Sequence, residues 1–200
     1  MSLITFKNVV KEYHMGEAVI KANDGVDFVI DTGNTFEEVI PDGLPHPQVP
    51  EYMAKGKSHG FHRELQSDEI IITADTMVLC EDEIMGKPKD REDAVRMIEK
   101  LQDNTHTVYT GYAVRSMYKT VCDFCATEVR FRALDDDEII KYIKTGEPMD
   151  KAGAYGIQGI GSLLVQGIEG DYQNVVGLPA SPLMRCLAEN FGFDYYKNRK

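Results

Sequence analysis

The chain has 200 residues, 42% of them hydrophobic, which suits one domain with a packed core. Its net charge of −11 excludes nonspecific nucleic-acid binding, which needs a basic face. No apolar run approaches the roughly 18 residues of a membrane span, and the four cysteines lack the spacing of a disulfide framework. We therefore expect a cytoplasmic protein whose partners include neither nucleic acid nor a membrane.

The first part of the chain predicts strands separated by an irregular stretch. Residues 3–6 and 25–30 favour strands, and residues 31–50 contain four prolines, which favour a loop. A short helix is predicted over residues 49–61. The apolar run IIITA at 70–74 predicts a strand that is buried on both faces of a sheet.

A helix and a hairpin are predicted next. Asp90 can cap the helix. The apolar stripe of this helix consists of Ala94, Met97, Ile98 and Leu101. Residues 107–115 and 124–133 predict two antiparallel strands. One face of the second strand carries Cys125, Thr127, Val129 and Phe131.

Two further helices complete the predicted elements. Asp135 and Glu138 resemble a capping box at the start of a helix that Gly146 ends. Ser181 precedes a proline at the start of the last helix, which ends at Gly192. Because strands and helices interleave, we predict the α/β class with some antiparallel pairing.

The segment CDFC, which contains Cys122 and Cys125, has the spacing of a metal or redox pair. Side chains three apart in a strand point to opposite faces, and no second pair supplies the remaining zinc ligands. We interpret both cysteines as ordinary strand residues.

Two charged side chains mark positions where chemistry is expected. Asp75 directly follows IIITA, and open α/β sheets bind ligands at the carboxyl ends of their strands. A carboxylate there can hold a metal or accept a proton from water, or it can cap a turn. Lys87, in the turn GKPK, offers a compact cation to a phosphate, or it is a solvated surface lysine.

The glycine-rich segment MDKAGAYGIQGIG at 149–161 suits neither a regular helix nor a strand. Lys151 offers a cation to a phosphate. Gln158, which we expect to be buried, offers a donor and an acceptor to a base edge. The alternative is a loop packed for shape, with Lys151 solvated.

Five longer motifs occur in a characteristic order: ITADTMV, GKPKDREDAVRMIEKL, THTVYTG, TGEPMDKAGAYGIQGIG and IEGDYQNVVGLP. Together they resemble the Maf family of nucleoside triphosphate pyrophosphatases, from about Gly25 to about Phe193. The resemblance implies an elongated mixed sheet flanked by helices, with a central cleft. It also implies cleavage of the α–β phosphoanhydride to a monophosphate and pyrophosphate with a divalent metal, Mg²⁺ or Mn²⁺.

The resemblance also assigns roles to the reacting end of the cleft. Asp75 matches the proton acceptor of the family. Glu37 matches a cleft acid that would share the metal with Asp75, and Lys57 matches a cleft lysine.

The remaining matches concern the substrate. Lys87 and Lys151 match the lysines on the phosphate side. Thr76 and Gln158 match positions tied to base preference, and the form YGIQG resembles the branch that hydrolyses dTTP and UTP.

The N-terminus departs from the family. The family opens with a strand and a Ser-x-x-Arg-Arg turn that wraps the phosphates, whereas residues 1–24 contain no arginine. The opening MSLITFKNVVKEYHMGEAVIKANDGVDF resembles the start of an ABC transporter ATPase domain and stops before any Walker motif. We predict a single domain in which a divergent segment, residues 1–24, precedes a Maf-like region, residues 25–200, and we expect weakened activity with a raised KM.

Two function classes stay open from the sequence. One is an active dTTP/UTP pyrophosphatase, and the other is a catalytically impaired protein that binds a nucleotide or regulates a partner. A redox or zinc module built on CDFC is a distant third. A homodimer is neither indicated nor excluded.

Overall fold

The computed structural model describes residues 3–15, 18–31 and 33–193, and before residue 33 it describes the backbone alone. The strands are β1 (Leu3–Met15), β2 (Ala18–Asp31), β3 (Ile70–Cys80), β4 (Glu83–Met85), β5 (Thr105–Ser116), β6 (Thr120–Phe131) and β7 (Val165–Glu169). The α-helices are α1 (Val49–His59), α2 (Arg91–Leu101), α3 (Asp136–Lys144), α4 (Tyr172–Val176) and α5 (Ala180–Phe191). Short 3₁₀ turns lie at His46–Gln48, Glu147–Asp150, Ala152–Ala154 and Ile160–Leu164.

A five-stranded sheet in the order β4-β3-β5-β6-β7 forms the centre of the fold, and β1 pairs with β2 in a separate two-stranded sheet. Every strand pair in the described ranges is antiparallel. The predicted α/β class and the helices that flank the sheet are confirmed. The parallel pairing that a mixed sheet implies does not occur among these strands.

The two faces of the large sheet are covered by different helices. On one face, α2 and α3 pack over β3, β5 and β6 around Val78, Val108 and Val129, while α5 packs farther along around Tyr112 and Val114. On the opposite face, α1 covers the sheet through Val49 and Met53, which pack against Met77 of β3.

The capping residues and the apolar stripe in the sequence predicted the helices correctly. Asp90 accepts a hydrogen bond from the backbone of Asp93, and Asp135 and Glu138 form the complete capping box. The predicted apolar stripe of α2 is buried. The last helix begins at Ala180, one residue before the predicted Ser181, and ends before Gly192. Helix α1 and the β5–β6 hairpin also lie where the sequence predicted them.

The prediction for IIITA was wrong in two respects. The strand does not end before Asp75 but continues to Cys80, because TMVLC also favours a strand. It is not buried on both faces either, since Ile70 and Ile72 are each 43% exposed. The short strand β4 pairs with β3 only from Val78 onwards. On the side away from β5, residues 70–77 therefore face no other strand among the described residues.

Candidate active site

Asp75 lies in the middle of β3, and its side chain points to the face that α1 covers. Its carboxylate Oδ1 lies 2.6 Å from Lys57 Nζ, and the same ammonium lies 3.0 Å from Glu38 Oε1. The side chains of Asp75 and Lys57 are 21% and 24% exposed, whereas the side chain of Glu38 is 60% exposed. Burial alone would lower the pKa of Lys57, but hydrogen bonds to Asp75 and Glu38 outweigh it and raise that pKa.

Helix α1 approaches β5 closely enough for Lys57 to reach Asp75. Gly111 pairs with Asp75 across the strands, and a Cβ at Gly111 would come within 2.2 Å of the backbone at Glu51. Thr73 donates a hydrogen bond of 2.6 Å to a carbonyl of α1. At the end of α1, the Arg115 guanidinium donates to the carbonyl of Ser58 at 2.6 Å. These contacts hold the helix against the sheet on the Asp75 face.

A cavity of about 290 Å³ opens at the unpaired edge of β3. Its lining combines Asp75 and Thr76 with two lysines, Lys87 and Lys151. Adjacent strand residues point to opposite faces, so Thr76 meets this space on the face opposite α1, whereas the Asp75 side chain points towards α1 and Asp75 lines the cavity from the strand between them. The loops that carry the lysines are joined by a hydrogen bond of 3.0 Å from the Gly153 amide to the Gly86 carbonyl.

Lys151 is partly committed within the protein. Its ammonium lies 2.6 Å from Asp150 Oδ1, and this contact lowers the pKa of the exposed Asp150 carboxyl. Lys87 is exposed. A polyanion in the cavity therefore meets one solvated ammonium and a second that can exchange Asp150 for phosphate.

A second cavity of about 350 Å³ adjoins the first. Lys151, Tyr155, Val175 and Val176 line both. Gln158 lines the second alone and is exposed, which corrects the expectation of a buried glutamine. Ligand sites usually measure about 300–1,000 Å³, and the two adjoining cavities together lie well within that range.

The glycine-rich loop keeps its shape through one carboxylate. Glu147 accepts hydrogen bonds from the amides of Ile160 and Gly161 at 2.9 and 2.8 Å, and from the Tyr142 hydroxyl at 3.1 Å. Burial would raise the pKa of Glu147, but these hydrogen bonds outweigh it and lower that pKa. A Cβ at Gly159 would lie 2.2 Å from the Glu147 carboxylate, which explains the glycine there.

The carboxylates suit a metal that arrives with its substrate. Between residues 33 and 193, no three His, Cys, Asp or Glu side chains lie close enough together to form a cage of protein ligands. Asp75 and Glu38 nevertheless converge on one cation, the Lys57 ammonium. Mg²⁺ commonly takes about one or two carboxylates and completes its shell with water and substrate phosphate, so this pair fits it.

The structure therefore brings most of the predicted site residues together. Asp75, Thr76, Lys87 and Lys151 line one cavity, Gln158 lines the next, and Lys57 is bonded to Asp75. Glu37 is exposed and forms no ion pair with the described residues. Its neighbour Glu38 occupies the position beside Lys57.

Three contributors to the cleft escaped the sequence reasoning: Glu147, Tyr155 and Asn174. Each lies inside a motif already noted, but its role depends on partners far away in sequence. Tyr155 bonds the buried His106 at 2.8 Å, and Asn174 bonds the carbonyl of Val108 at 3.0 Å. A polar residue beside the apolar pair Val175–Val176 was the available signal for Asn174.

Of the two interpretations of CDFC, the structure agrees with ordinary strand residues. Cys122 and Cys125 both lie in β6, where positions three apart face opposite sides of the sheet. All four cysteines are free thiols. Among the described residues, no helix is both long and apolar enough to cross a bilayer.

Comparison with known proteins places this cleft in a family. The profile of the family described as Maf-like protein matches residues 17–190, a range that begins before Gly25. A dTTP/UTP pyrophosphatase of Thermoanaerobacter sp. (strain X514) is 45% identical over 172 residues, which cover 85% of this chain and 89% of the relative.

Two further relatives carry the same name. The dTTP/UTP pyrophosphatase of Clostridium beijerinckii is 50% identical over 139 residues, covering 68% of this chain and 74% of the relative. That of Aquifex aeolicus is 43% identical over 165 residues, covering 82% and 85%. With a family match over most of its length and relatives at this identity, the chain belongs to the Maf-like protein family.

Proposed function

We propose that the chain hydrolyses dTTP and UTP in this cleft to the nucleoside monophosphate and pyrophosphate. The observation that carries the proposal is the pair of adjoining cavities, one with a carboxylate and two lysines and the other with an amide. The names of the relatives support the same reaction and the same substrates.

Asp75 is the proposed proton acceptor. It takes a proton from a water molecule whose oxygen attacks the α-phosphorus, and the bond from that phosphorus to the bridging oxygen breaks as pyrophosphate leaves. Lys57 holds the carboxylate in place through its 2.6 Å contact. Because the pKa of Lys57 is raised, its ammonium stays charged at neutral pH.

Lys87 and Lys151 are proposed to bind the phosphates and to stabilise the charge that develops on the leaving pyrophosphate. Gln158, in the adjoining cavity, and Thr76, in the lysine-lined cavity, are proposed to contact the nucleoside. Asp75 with Glu38, or with the originally predicted Glu37, would hold the divalent metal, Mg²⁺ or Mn²⁺. The bound metal would neutralise phosphate charge and polarise the scissile bond.

We place this activity in the cytoplasm, because all four cysteines are free and a reducing compartment keeps them so. The net charge of −11 leaves nucleic acid an unfavourable partner, whereas a nucleotide meets the local lysines of the cleft.

The test is pyrophosphate release from dTTP and UTP with Mg²⁺ or Mn²⁺, for the parent and for Asp75→Asn. Removing a general base costs roughly 10²- to 10⁴-fold in turnover. The amide keeps the shape of the carboxylate, so circular dichroism and melting temperature should report an intact fold. Turnover of the variant at the parent rate would refute the role of Asp75.

A second candidate is a nucleotide-binding protein with impaired turnover, which the lack of arginine in residues 1–24 favours. The same assay separates the two. Binding of dTTP without pyrophosphate release by the parent would favour the second candidate over the enzyme.

A further inference from the structure

A buried chain of hydrogen bonds runs behind the wall of the first cavity. The hydroxyl oxygens of Thr76 and Thr110 lie 2.9 Å apart, and Thr110 Oγ1 lies 2.9 Å from the backbone carbonyl oxygen of Asn174. Thr110 and Asn174 are both 0% exposed. Thr76, which is half-buried, is the member of the chain that lines the cavity.

The direction of these hydrogen bonds follows from the groups involved. A carbonyl oxygen can only accept, so Thr110 donates its single hydroxyl hydrogen to Asn174. Thr110 then has no hydrogen left for Thr76. The hydrogen between the two threonines comes from Thr76, and the cavity meets only a lone pair of the Thr76 oxygen.

The side chain of Asn174 keeps its own carbonyl in place. Its amide nitrogen donates to the Val108 carbonyl of β5 at 3.0 Å and to the Thr127 hydroxyl of β6 at 2.9 Å. Turning the amide over would set Oδ1 against the Val108 carbonyl, so the hydrogen-bond pattern selects one orientation. The Asn174 side chain thereby joins helix α4 to β5 and β6, and the backbone carbonyl of Asn174 faces Thr110.

We infer that Thr110 and Asn174 are positioning residues that make Thr76 an obligate hydrogen-bond acceptor towards the ligand. The inference rests on the proposed function, because it states which part of the nucleotide Thr76 contacts. Ionised phosphate oxygens also only accept, so Thr76 disfavours them. It selects a donor of the nucleoside, either the imide N–H of the base or a sugar hydroxyl.

The experiment measures equilibrium binding of monophosphates by calorimetry, so that it does not depend on turnover. Deoxyuridine and deoxycytidine monophosphates differ at N3, which is a donor in the first and an acceptor in the second. Thymidine monophosphate and its 3′-O-methyl derivative differ at the sugar, where the 3′-hydroxyl of the first can donate and the methyl ether of the second can only accept. For the parent, we expect a difference within one of these two pairs. The ligand that can only accept at that position should bind about tenfold or more weakly than the ligand that can donate, because its acceptor then faces the Thr76 oxygen, which also accepts.

Thr110→Val frees the hydroxyl of Thr76 to rotate and donate, so this penalty should fall severalfold. Thr110→Ser keeps the hydroxyl and should keep the penalty. Thr107→Val is the matched control, since Thr107 lies on the same strand but on its other face. The cytosine amino group and the added methyl also affect other contacts. These effects are the same in every variant, so they cancel when the affinity ratio of a ligand pair is compared between the parent and a variant.

The pair that shows the penalty identifies the base or the sugar as the donor. A parent that binds donor and acceptor ligands equally, or a Thr110→Val variant with an undiminished penalty, would overturn the inference while leaving the proposed reaction standing. Absence of pyrophosphate release with the binding pattern intact would overturn the reaction alone. If none of these monophosphates bound, the inference about Thr76 would fall, whereas the proposed reaction would still be decided by pyrophosphate release from dTTP and UTP.

Discussion

His106 is buried behind the wall that the two cavities share. It is 2% exposed, and its Nε2 lies 2.8 Å from the hydroxyl of Tyr155. Its ring also packs edge-on against Phe131. Burial lowers the pKa of His106 from 6.5 to about 4, so the ring is neutral in the folded protein at neutral pH.

This burial predicts a pH dependence of stability. As the pH falls from 6.5 towards 4, the unfolded chain takes up a proton that folded His106 does not. The free energy of unfolding should therefore fall by up to about 3 kcal/mol in that window, with no further contribution from this residue above it. Denaturant titrations of the parent and of His106→Phe, which cannot titrate, would measure the difference.

Between pH 6.5 and 4, the free energy of unfolding should fall more steeply with falling pH in the parent than in His106→Phe. The lost contact with Tyr155 changes the free energy of unfolding of the variant by the same amount at every pH, so it does not affect this slope. Parallel stability curves would contradict the lowered pKa of His106.

At the scale of elements, the loop from Ala152 to Leu164 depends on the carboxylate of Glu147. Glu147→Gln keeps the shape but replaces one oxygen with an amide nitrogen, which donates and cannot accept, so the backbone amide of either Ile160 or Gly161 loses its acceptor. We expect the loop to become more mobile. Because Gln158 lies in this loop, KM for dTTP and UTP should rise about tenfold, and kcat should change less. Steady-state kinetics would measure both constants.

Asp137→Asn is the matched control for that variant. The side chain of Asp137 is 85% exposed and pairs with Lys141 on the surface of α3, so the loss of its charge should leave both constants unchanged. A normal KM in Glu147→Gln would mean that the loop holds its shape without this carboxylate.

The close approach of α1 to β5 gives a second prediction at this scale. In Gly111→Ala, the new methyl would collide with the helix backbone and push α1, with Lys57, away from Asp75. Overpacking of this kind costs roughly 1–3 kcal/mol. We expect a lower melting temperature together with slower pyrophosphate release.

Gly167→Ala in β7 provides the comparison, because the nearest atom to its Cβ would be the Arg130 guanidinium at 3.7 Å, an ordinary contact. Equal stability of the two variants would show that α1 can move away from the sheet at little cost.

The elements differ in how much of them the sequence could predict. The caps at Asp90 and Asp135 act on amides three residues away, so local sequence carries the whole interaction. Asp75, Lys87 and Lys151 could be singled out by position and charge, whereas Lys57 was reachable only through motif order, because nothing local indicates that it meets Asp75. The exposure of Gln158 depends on tertiary packing, whereas the full length of β3 was within reach of the sequence, because TMVLC also favours a strand.

At the scale of the whole molecule, we expect the N-terminal segment to weaken the binding of the phosphates, because residues 1–24 contain no arginine. The boundary between residues 1–24 and 25–200 stays a prediction. Replacing residues 1–24 with a strand and a Ser-x-x-Arg-Arg turn should raise kcat/KM for dTTP. Each charge-assisted hydrogen bond contributes about 1.5–3 kcal/mol, which corresponds to roughly ten- to a hundredfold.

A second chimera with glutamine in place of both arginines separates charge from folding. It should fold like the first and gain little. If the arginine chimera folded but gained nothing over an already efficient parent, the existing segment or other residues would be supplying the phosphate contacts.

The antiparallel order of the sheet also has a consequence for how the cleft is assembled during folding. Strands β5 and β6 are joined by a turn that closes with a hydrogen bond of 2.8 Å from Ser116 to Lys119, and such a hairpin forms within about 1–10 μs. The contacts of Asn174, in contrast, join residues 47 and 66 positions apart. Closing such long loops is slow, so the β5–β6 hairpin should gain protection from hydrogen exchange before α4 does. The nucleotide site should then be completed only when α4 docks, because α4 supplies Val175 and Val176, which line both cavities.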